Sequence, residues 1–480
     1  MSVLIKSMIA GGKTAAGEQT ITAPYDLAPI ARIETTAAEG VMQALDTAYQ
    51  LFRDRTTWLP VTQRIEILER AASLMQARAE TLAVVAAQEG GKPLIDSRVE
   101  VARAIDSIHL CVRCLRSGAG EVVPMGVDAA SSGRLAFTLH EPIGVVVAVS
   151  AFNHPLNLIA HQGGPAIAAG CPVIVKPAGD TPLSCFRLVE ILREAGLPEA
   201  WCQALVTTDQ TVTGQLVTDP RVAFLSFIGS AKVGWMLRST LAPGTRCALE
   251  HGGVAPVIVA EDANISVVIP QLLKGGFYHA GQVCVSVQRV FVHRSLARDV
   301  AQQLAAGADK LVIGDPTREE TEVGPLIRPA EVERIHEWVT AAVAEGAELL
   351  TGGKKDSETT YQCTVLFDPA ADSKVSTQEI FGPVICVYPY DSMDEAIQRA
   401  NSLPYAFQAA VFSTDMDRVI RASRRLDAAT VMVNDHTAFR VDWMPFAGLR
   451  ESGLGTGGVP YTFRDMQIEK LVVIHSDELS

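Results

Sequence analysis

Apolar positions recur along this chain in two rhythms, and the change of rhythm marks its parts. Residues 1–36 read as short extended pieces with turns at Gly11-Gly12 and Pro24. Residues 37–116 carry long Ala/Leu/Arg/Glu-rich helical periods, broken at Pro60, near Gly90-Gly91 and at Pro93. Residues 117–142 turn to extended segments with Gly and Pro breaks. From 143 to 252 strands and helices alternate. The run 143–150 is Val-rich with no polar alternation, the signature of a strand buried on both faces. The pattern then predicts a helix over 156–169, a strand over 172–176, a helix over 181–195 and a strand over 203–206. A helix near 209–217, a strand over 222–227, a helix from Ala231 and a strand over 246–250 follow. Such alternation implies a parallel sheet covered by helices, and ligands of such sheets sit at the carboxyl ends of the strands. Asn153, Lys176, Gly229-Ser230 and Glu250 fall just after predicted strands, so one crevice can collect them.

A second α/β alternation runs from 253 to about 450. It predicts helices near 264–279, 295–311, 330–346, 393–401 and 415–426. The strands between them are 287–292, 384–388, 409–412 and 430–433, and the tail ends in a strand over 470–475. The extended arm (117–142) and the terminal strand lie outside both blocks and are candidates for pairing with another subunit, in a homodimer or homotetramer.

Composition narrows the function classes. A chain of 480 residues exceeds a single core and implies two or more domains. With 48% hydrophobic and 20% charged residues it has the make-up of a soluble globular protein. The net charge of −13 shows no basic stripe, which argues against a nucleic-acid partner. No apolar run is long enough for a bilayer, and the first 30 residues show no secretory pattern, so the expectation is a cytoplasmic protein without a membrane partner. Nine scattered cysteines make no disulfide framework. Cys111 and Cys114 form a C-x-x-C within a helical run (98–116) and read as two residues one helical turn apart. The ten histidines show no ligand spacing, so no metal is inferred.

The candidate chemistry centres on Gly-Gln-Val-Cys, residues 281–284. Cys284 follows an apolar helical segment and a glycine break, and precedes a β-type run. A thiol at a helix-to-strand corner can point into a cleft. It works only as a thiolate, which needs a polarised pocket and a base nearby. The alternative for a lone cysteine is a small buried hydrophobe.

Seven motifs decide between these. EPIGVVVAVSAFNHPLN (141–157), VIVKPA (173–178), FIGS (227–230), LEHGG (249–253), GQVC (281–284), EIFGPV (379–384) and PFAGLRESG (445–453) resemble, in order and spacing, the aldehyde dehydrogenase superfamily over essentially the whole length. The resemblance implies an α/β fold: a Rossmann-type parallel-sheet cofactor domain (1–116 and 143–252), an α/β catalytic domain (253–450) and a small β oligomerisation arm (117–142 and 460–480). It implies oxidation of an aldehyde with NAD or NADP. Cys284 would add to the carbonyl. Asn153 and the Cys284 backbone N–H would hold the oxyanion, and Glu250 would be the base that hydrolyses the thioester. Members that pass the acyl group to coenzyme A generally lack this glutamate, so its presence favours a free acid. Lys176 would hold the adenosine ribose, Gly229 and Ser230 the pyrophosphate, and Glu379 with Phe381 the nicotinamide ribose. Retention of Cys284, Glu250, Asn153 and Lys176 argues against a homologue that kept the fold and lost turnover.

Three features depart from the family pattern. Gly179 stands where many NAD-specific members carry a ribose-chelating Glu, so NADP becomes tolerable. His154 and His161, seven apart on one helix face, replace large apolar tunnel residues. Arg103 falls at a tunnel-facing place, and Arg440 approaches the same mouth. These donors suit an aldehyde with a distal anion, and resemble the phosphonoacetaldehyde-oxidising members. The alternatives pair Arg103 with Glu100 or Asp106 along its helix, and give the enzyme a lactaldehyde- or semialdehyde-type substrate. The stretch Gly453-Leu-Gly-Thr-Gly-Gly458 matches G-x-G-x-x-G, but no strand precedes it, and it reads as a flexible loop.

Overall fold

The computed structural model describes residues 4–12 and 15–479. Its first large sheet has the order Gly453–Leu454, Arg246–Glu250, Val222–Ile228, Val145–Val149, Val173–Lys176, Cys202–Ala204. The five longer-range strands are parallel, and Gly453–Leu454 adds an antiparallel edge. Counted along the chain, those five run 5-4-1-2-3. The order reverses between Val145–Val149 and Val222–Ile228, the switch point at which such sheets open a crevice. Val145 to Ala148 are fully buried, as an unalternating valine run requires.

The second sheet has seven strands: Glu348–Thr351, Thr364–Phe367, Val384–Tyr390, Val287–His293, Ala255–Val259, Gln408–Phe412 and Thr430–Val433. Only its Glu348–Thr351 edge is antiparallel. The pattern gave Val287–His293, Val384–Tyr390, Gln408–Phe412 and Thr430–Val433 to within two residues, and missed three strands. Ala255–Val259 lies inside the sheet, beside the central strand Val287–His293, but it is five residues long, begins Ala-Pro and follows Gly252-Gly253, which hides it. Glu348–Thr351 is half-exposed, and Thr364–Phe367 has only four residues.

The N-terminal stretch forms two eight-residue strands, Ala15–Thr22 and Pro29–Thr36, rather than short pieces. The helical region resolves into Ala38–Arg53, Val61–Ala77, Ala79–Gly90 and Leu94–Ser117. Cys111 and Cys114 sit on the last of these. The arm strand Arg134–Pro142 pairs antiparallel with Gln467–His475 of the same chain over nine residues, so the tail strand begins three residues earlier than the pattern suggested. Among the described residues no helix is long and apolar enough to cross a membrane.

The stretch 453–458 is not a free loop. Gly453 and Leu454 pair with Glu250 and Leu249, and Phe446 and Gly457 exchange backbone hydrogen bonds at 3.1 and 2.7 Å. The flexible-loop expectation is corrected: glycine and threonine hid an edge strand whose partner lies some 200 positions upstream.

Candidate active site

A cavity of about 810 Å³ lies between the two sheets, at the switch point of the first. Cys284, Asn153, Glu250, Lys176, Gly229, Ser230, Glu379, Phe381, Arg103, His154 and Arg440 line it. Of the residues named from sequence, only His161 is off its wall.

The Cys284 corner is built by an abrupt chain reversal. The helix Ile265–Phe277 ends, and His279, Ala280 and Gly281 then take φ of 49°, 53° and 70°. A Cβ at Gly281 would stand 2.1 Å from the Gly382 carbonyl oxygen, so that position admits only glycine without a shift. Gln282 ties the reversal down. Its Nε2 donates to the Pro325 carbonyl (3.2 Å), and its Oε1 accepts from the Ile327 N–H (2.9 Å). Its backbone oxygen accepts from Asn153 Nδ2 at 2.9 Å, which binds the Asn153 turn directly to the cysteine loop. The Asn153 amide has a second N–H for a ligand. Burial pushes the Cys284 thiol up to about 12, and Arg440 is the first group opposing that rise.

Below this turn Glu100, buried on the helix Leu94–Ser117, accepts from the Leu156 and Asn157 N–H groups (2.9 and 3.0 Å) and pairs with buried Lys92. A carboxylate at a helix N-terminus satisfies N–H groups that lack intrahelical partners. Glu100 is thus occupied, and does not pair with Arg103.

Glu250 ends its strand at the cavity, and its backbone oxygen accepts from Gly229 N–H at 3.1 Å. Its side chain lies against Gly457, where a Cβ would come within 2.2 Å of Oε1. Arg440 Nη1 stands 3.9 Å from Glu250 Oε2. His251 holds the neighbouring turn. Its Nδ1 meets the Gly229 carbonyl at 2.9 Å, and its ring fits only because Gly234 has no side chain.

The residues suit a dinucleotide. Gly229 and Ser230 open the helix Ala231–Ser239 at the switch point; the Gly229 N–H is taken by the Glu250 carbonyl, and the N–H groups from Ser230 onward favour phosphate. Lys176 ends its strand at the same crevice. Glu379 Oε1 is buried without a hydrogen-bond partner, an acceptor awaiting a hydroxyl donor. Burial raises Glu379 to about 8, against the pull of Arg334 and the Gly253 N–H.

The substrate side differs from the sequence reading in one decisive respect. Arg103 pairs with neither Glu100 nor Asp106. Its Nε and Nη2 donate to Asp442 Oδ2 and Oδ1 at 3.1 and 2.7 Å. His161 is buried behind the wall, with Nε2 2.6 Å from the same Oδ1. Asn157 Nδ2 adds a third contact to that oxygen at 3.3 Å. His154 does not share a helix face with His161. It lies in the turn before the helix Asn157–Ala169, and its Nε2 meets the Tyr278 hydroxyl at 3.3 Å. Burial, with Lys92 and Arg103 nearby, keeps His154 well below its usual range and so neutral. Arg440 Nη2 faces His161 Nδ1 at 3.4 Å, and its guanidinium carbon lies 3.6 Å from the Phe446 ring centroid. Sequence reasoning missed Asp442: an aspartate between Val441 and Trp443 in a loop gives no local sign of burial.

A thiol, a side-chain amide, a carboxylate and the start of a helix after a parallel strand share one cavity, the set of groups that aldehyde oxidation with a dinucleotide calls for. The chain belongs to the aldehyde dehydrogenase family, whose model matches residues 13–472. It is 36% identical over 463 residues to the 3-sulfolactaldehyde dehydrogenase of Priestia megaterium, covering 96% of both chains. The aldehyde dehydrogenase 21 of Physcomitrella patens, solved with the reaction product succinate, superposes with a TM-score of 0.94 at 32% identity, covering 99% of both chains. The glyceraldehyde-3-phosphate dehydrogenase GapN of Methanocaldococcus jannaschii, solved with NADP, gives a TM-score of 0.91 at 35% identity, covering 95% of this chain and 99% of that one. The protein is an NAD(P)-dependent aldehyde dehydrogenase.

Proposed function

We propose that this enzyme oxidises a short aldehyde carrying a distal anion to the free carboxylic acid. The single observation behind this reading is the cavity wall, where Arg440, Arg103 and His154 share one space with Cys284. A guanidinium there suits a sulfonate, carboxylate, phosphate or phosphonate, phosphonoacetaldehyde included. The relatives' printed substrates and product (3-sulfolactaldehyde, succinate, glyceraldehyde 3-phosphate) all carry such a group.

In this reading the Cys284 thiolate, favoured by Arg440, adds to the aldehyde carbon. The Asn153 N–H and the Cys284 backbone N–H receive the oxyanion; such donors are worth about 2.7–4 kcal/mol each. Bound NAD or NADP supplies the hydride acceptor for this carbon. The carbonyl re-forms as a thioester on Cys284. Glu250 takes a proton from water as it attacks the thioester, and the acid leaves as the thiol is restored. Lys176, Gly229, Ser230, Glu379 and Phe381 would hold the dinucleotide. Residues 1–116 with 143–252 form its domain in this reading, and 253–450 the catalytic one. The exposed Leu135, Leu139, Leu471 and Val473 on the paired arm strands suit contact between copies in a dimer or tetramer.

A neutral hydroxyaldehyde of the lactaldehyde type is the second reading, favoured by one observation: Asp442 already offsets the charge of Arg103. The test is kcat/KM across aldehydes of equal length that differ only in the distal group. A preference of at least about tenfold for the anionic members, the worth of one charged hydrogen bond, supports the first reading. Equal values support the second.

A further inference from the structure

We propose that Asp442 is the positioning residue of the substrate pocket: it locks Arg103 and one tautomer of His161, and through His161 aims Arg440 at Cys284 and the substrate. The inference deepens the reading of the site as an anionic-aldehyde pocket and rests on it for the nature of the substrate.

Asp442 is 2% exposed and meets four polar side chains. Its Oδ1 accepts from Arg103 Nη2, His161 Nε2 and Asn157 Nδ2, and its Oδ2 from Arg103 Nε. Arg440 Nε lies 4.0 Å from the same Oδ1. The loop carrying it is fixed as well, since the Asp442 carbonyl accepts the Val459 N–H at 2.9 Å. An ionised carboxylate only accepts, so the His161 proton must sit on Nε2, and Nδ1 must present a lone pair. That lone pair faces Arg440 Nη2. The other tautomer would put N–H against N–H and push the guanidinium away. Arg440 is otherwise loosely held. The Phe446 ring supports its face, Glu250 is 3.9 Å off, and Nε is buried without a hydrogen-bond partner. His161 therefore converts the charge of Asp442 into a direction for Arg440. His161 itself stays neutral: burial and Arg440 lower it against the pull of Asp442.

The charge pattern follows. Asp442 offsets Arg103, and the positive charge that bears on Cys284 is that of Arg440. A purely electrostatic role and a positioning role for Asp442 predict opposite signs. If Asp442 acted by charge alone, its removal would leave the pocket more positive, strengthen anion binding and favour the Cys284 thiolate. If it positions Arg440, its removal weakens both.

The test uses full-length Asp442→Asn, with thermal melting and cofactor binding as checks of the fold. Two readouts are taken. One is kcat and KM for 4-oxobutanoate and for its neutral methyl ester. The other is the rate of Cys284 alkylation by iodoacetamide, followed on its own peptide by mass spectrometry. The expected result is a drop in kcat/KM for the carboxylate about tenfold larger than that for the ester, the excess carried by KM, since the ester shares only the loss of thiolate that alkylation reads. Alkylation slows as well, and Asp442→Glu recovers part of both. Faster or unchanged alkylation, or equal losses on the two aldehydes, overturns the proposal. Should Asp442→Asn fail to fold, His161→Leu cuts the link while leaving the Arg103–Asp442 pair, and the same signs apply. If the wild type prefers neither aldehyde, the anionic-substrate reading fails, and the alkylation rates still decide the role of Asp442.

Discussion

Arg103 and Asp442, 339 positions apart, meet in a two-pronged ion pair at 2.7 and 3.1 Å. The pair bridges the helix Leu94–Ser117 and the loop that precedes Phe446. Its aspartate is buried, while the arginine side chain is 23% exposed to the cavity. Burial alone would raise the Asp442 carboxyl, but His161 and Arg103 more than offset this and hold it well below the usual carboxylate range. Removing Arg103 leaves a buried charge with two neutral hydrogen-bond partners, His161 and Asn157, and with Arg440 no closer than 4.0 Å. Arg103→Met should therefore cost about 3 kcal/mol of stability, the low end for breaking a buried pair, since part of the pair touches solvent. Urea unfolding measures it, and a loss below about 1 kcal/mol would mean that the pair behaves as a surface bridge.

Arg440→Met should lower kcat/KM for an anionic aldehyde about 10- to 100-fold more than for a neutral aldehyde of the same length, the range for a charged hydrogen bond, because the neutral one loses only the help given to the Cys284 thiolate. Steady-state kinetics on the two substrates check this. A uniform loss would place Arg440 in the chemistry common to both and not in recognition.

The motifs were readable because each carries its own local reason. A valine run shows a buried strand, a glycine break before Cys284 shows a reversal, and Gly229-Ser230 shows a helix start after a strand. What could not be read depends on partners far along the chain. Asp442 is ordinary until Arg103 and His161, 339 and 281 positions away, close on it. The helix-face argument for His154 and His161 failed because the helix starts at Asn157, where Glu100 caps it from another element. The strand Gly453–Leu454 was hidden for the same reason, since its identity lies in Leu249 and Glu250.

Cofactor affinity should rise with pH through the range near 8. Burial raises Glu379 to about 8, so at neutral pH it is largely protonated. Ribose hydroxyls donating to it favour the carboxylate, so binding releases a proton and tightens as pH rises. Without cofactor the sign for stability is opposite. The folded value lies above the unfolded one of 4.5, so stability falls as pH climbs from there to about 8 and then levels. Titration of NAD(P) binding between pH 6 and 9 tests this, and Glu379→Gln should abolish the step.

Gly179→Glu should move the cofactor preference toward NAD. A Cβ there meets Gln19 Nε2 at 3.6 Å, an ordinary contact, so the side chain is accommodated. A carboxylate at that place would oppose a 2′-phosphate, and like charges a few ångströms apart near a protein surface are worth several kcal/mol, so KM for NADP should rise at least about tenfold. Comparison of KM for the two cofactors in wild type and variant reads it directly.

The account depends most on a thioester at Cys284 that Glu250 helps to hydrolyse. Glu250→Gln enzyme mixed with aldehyde and NAD(P), quenched and digested, is the most direct test. The account predicts one equivalent of reduced nicotinamide released quickly, with the acyl mass retained on the Cys284 peptide while turnover falls about 10²–10⁴-fold. Reduced nicotinamide formed at the wild-type steady rate, with no acyl mass on that peptide, would contradict it.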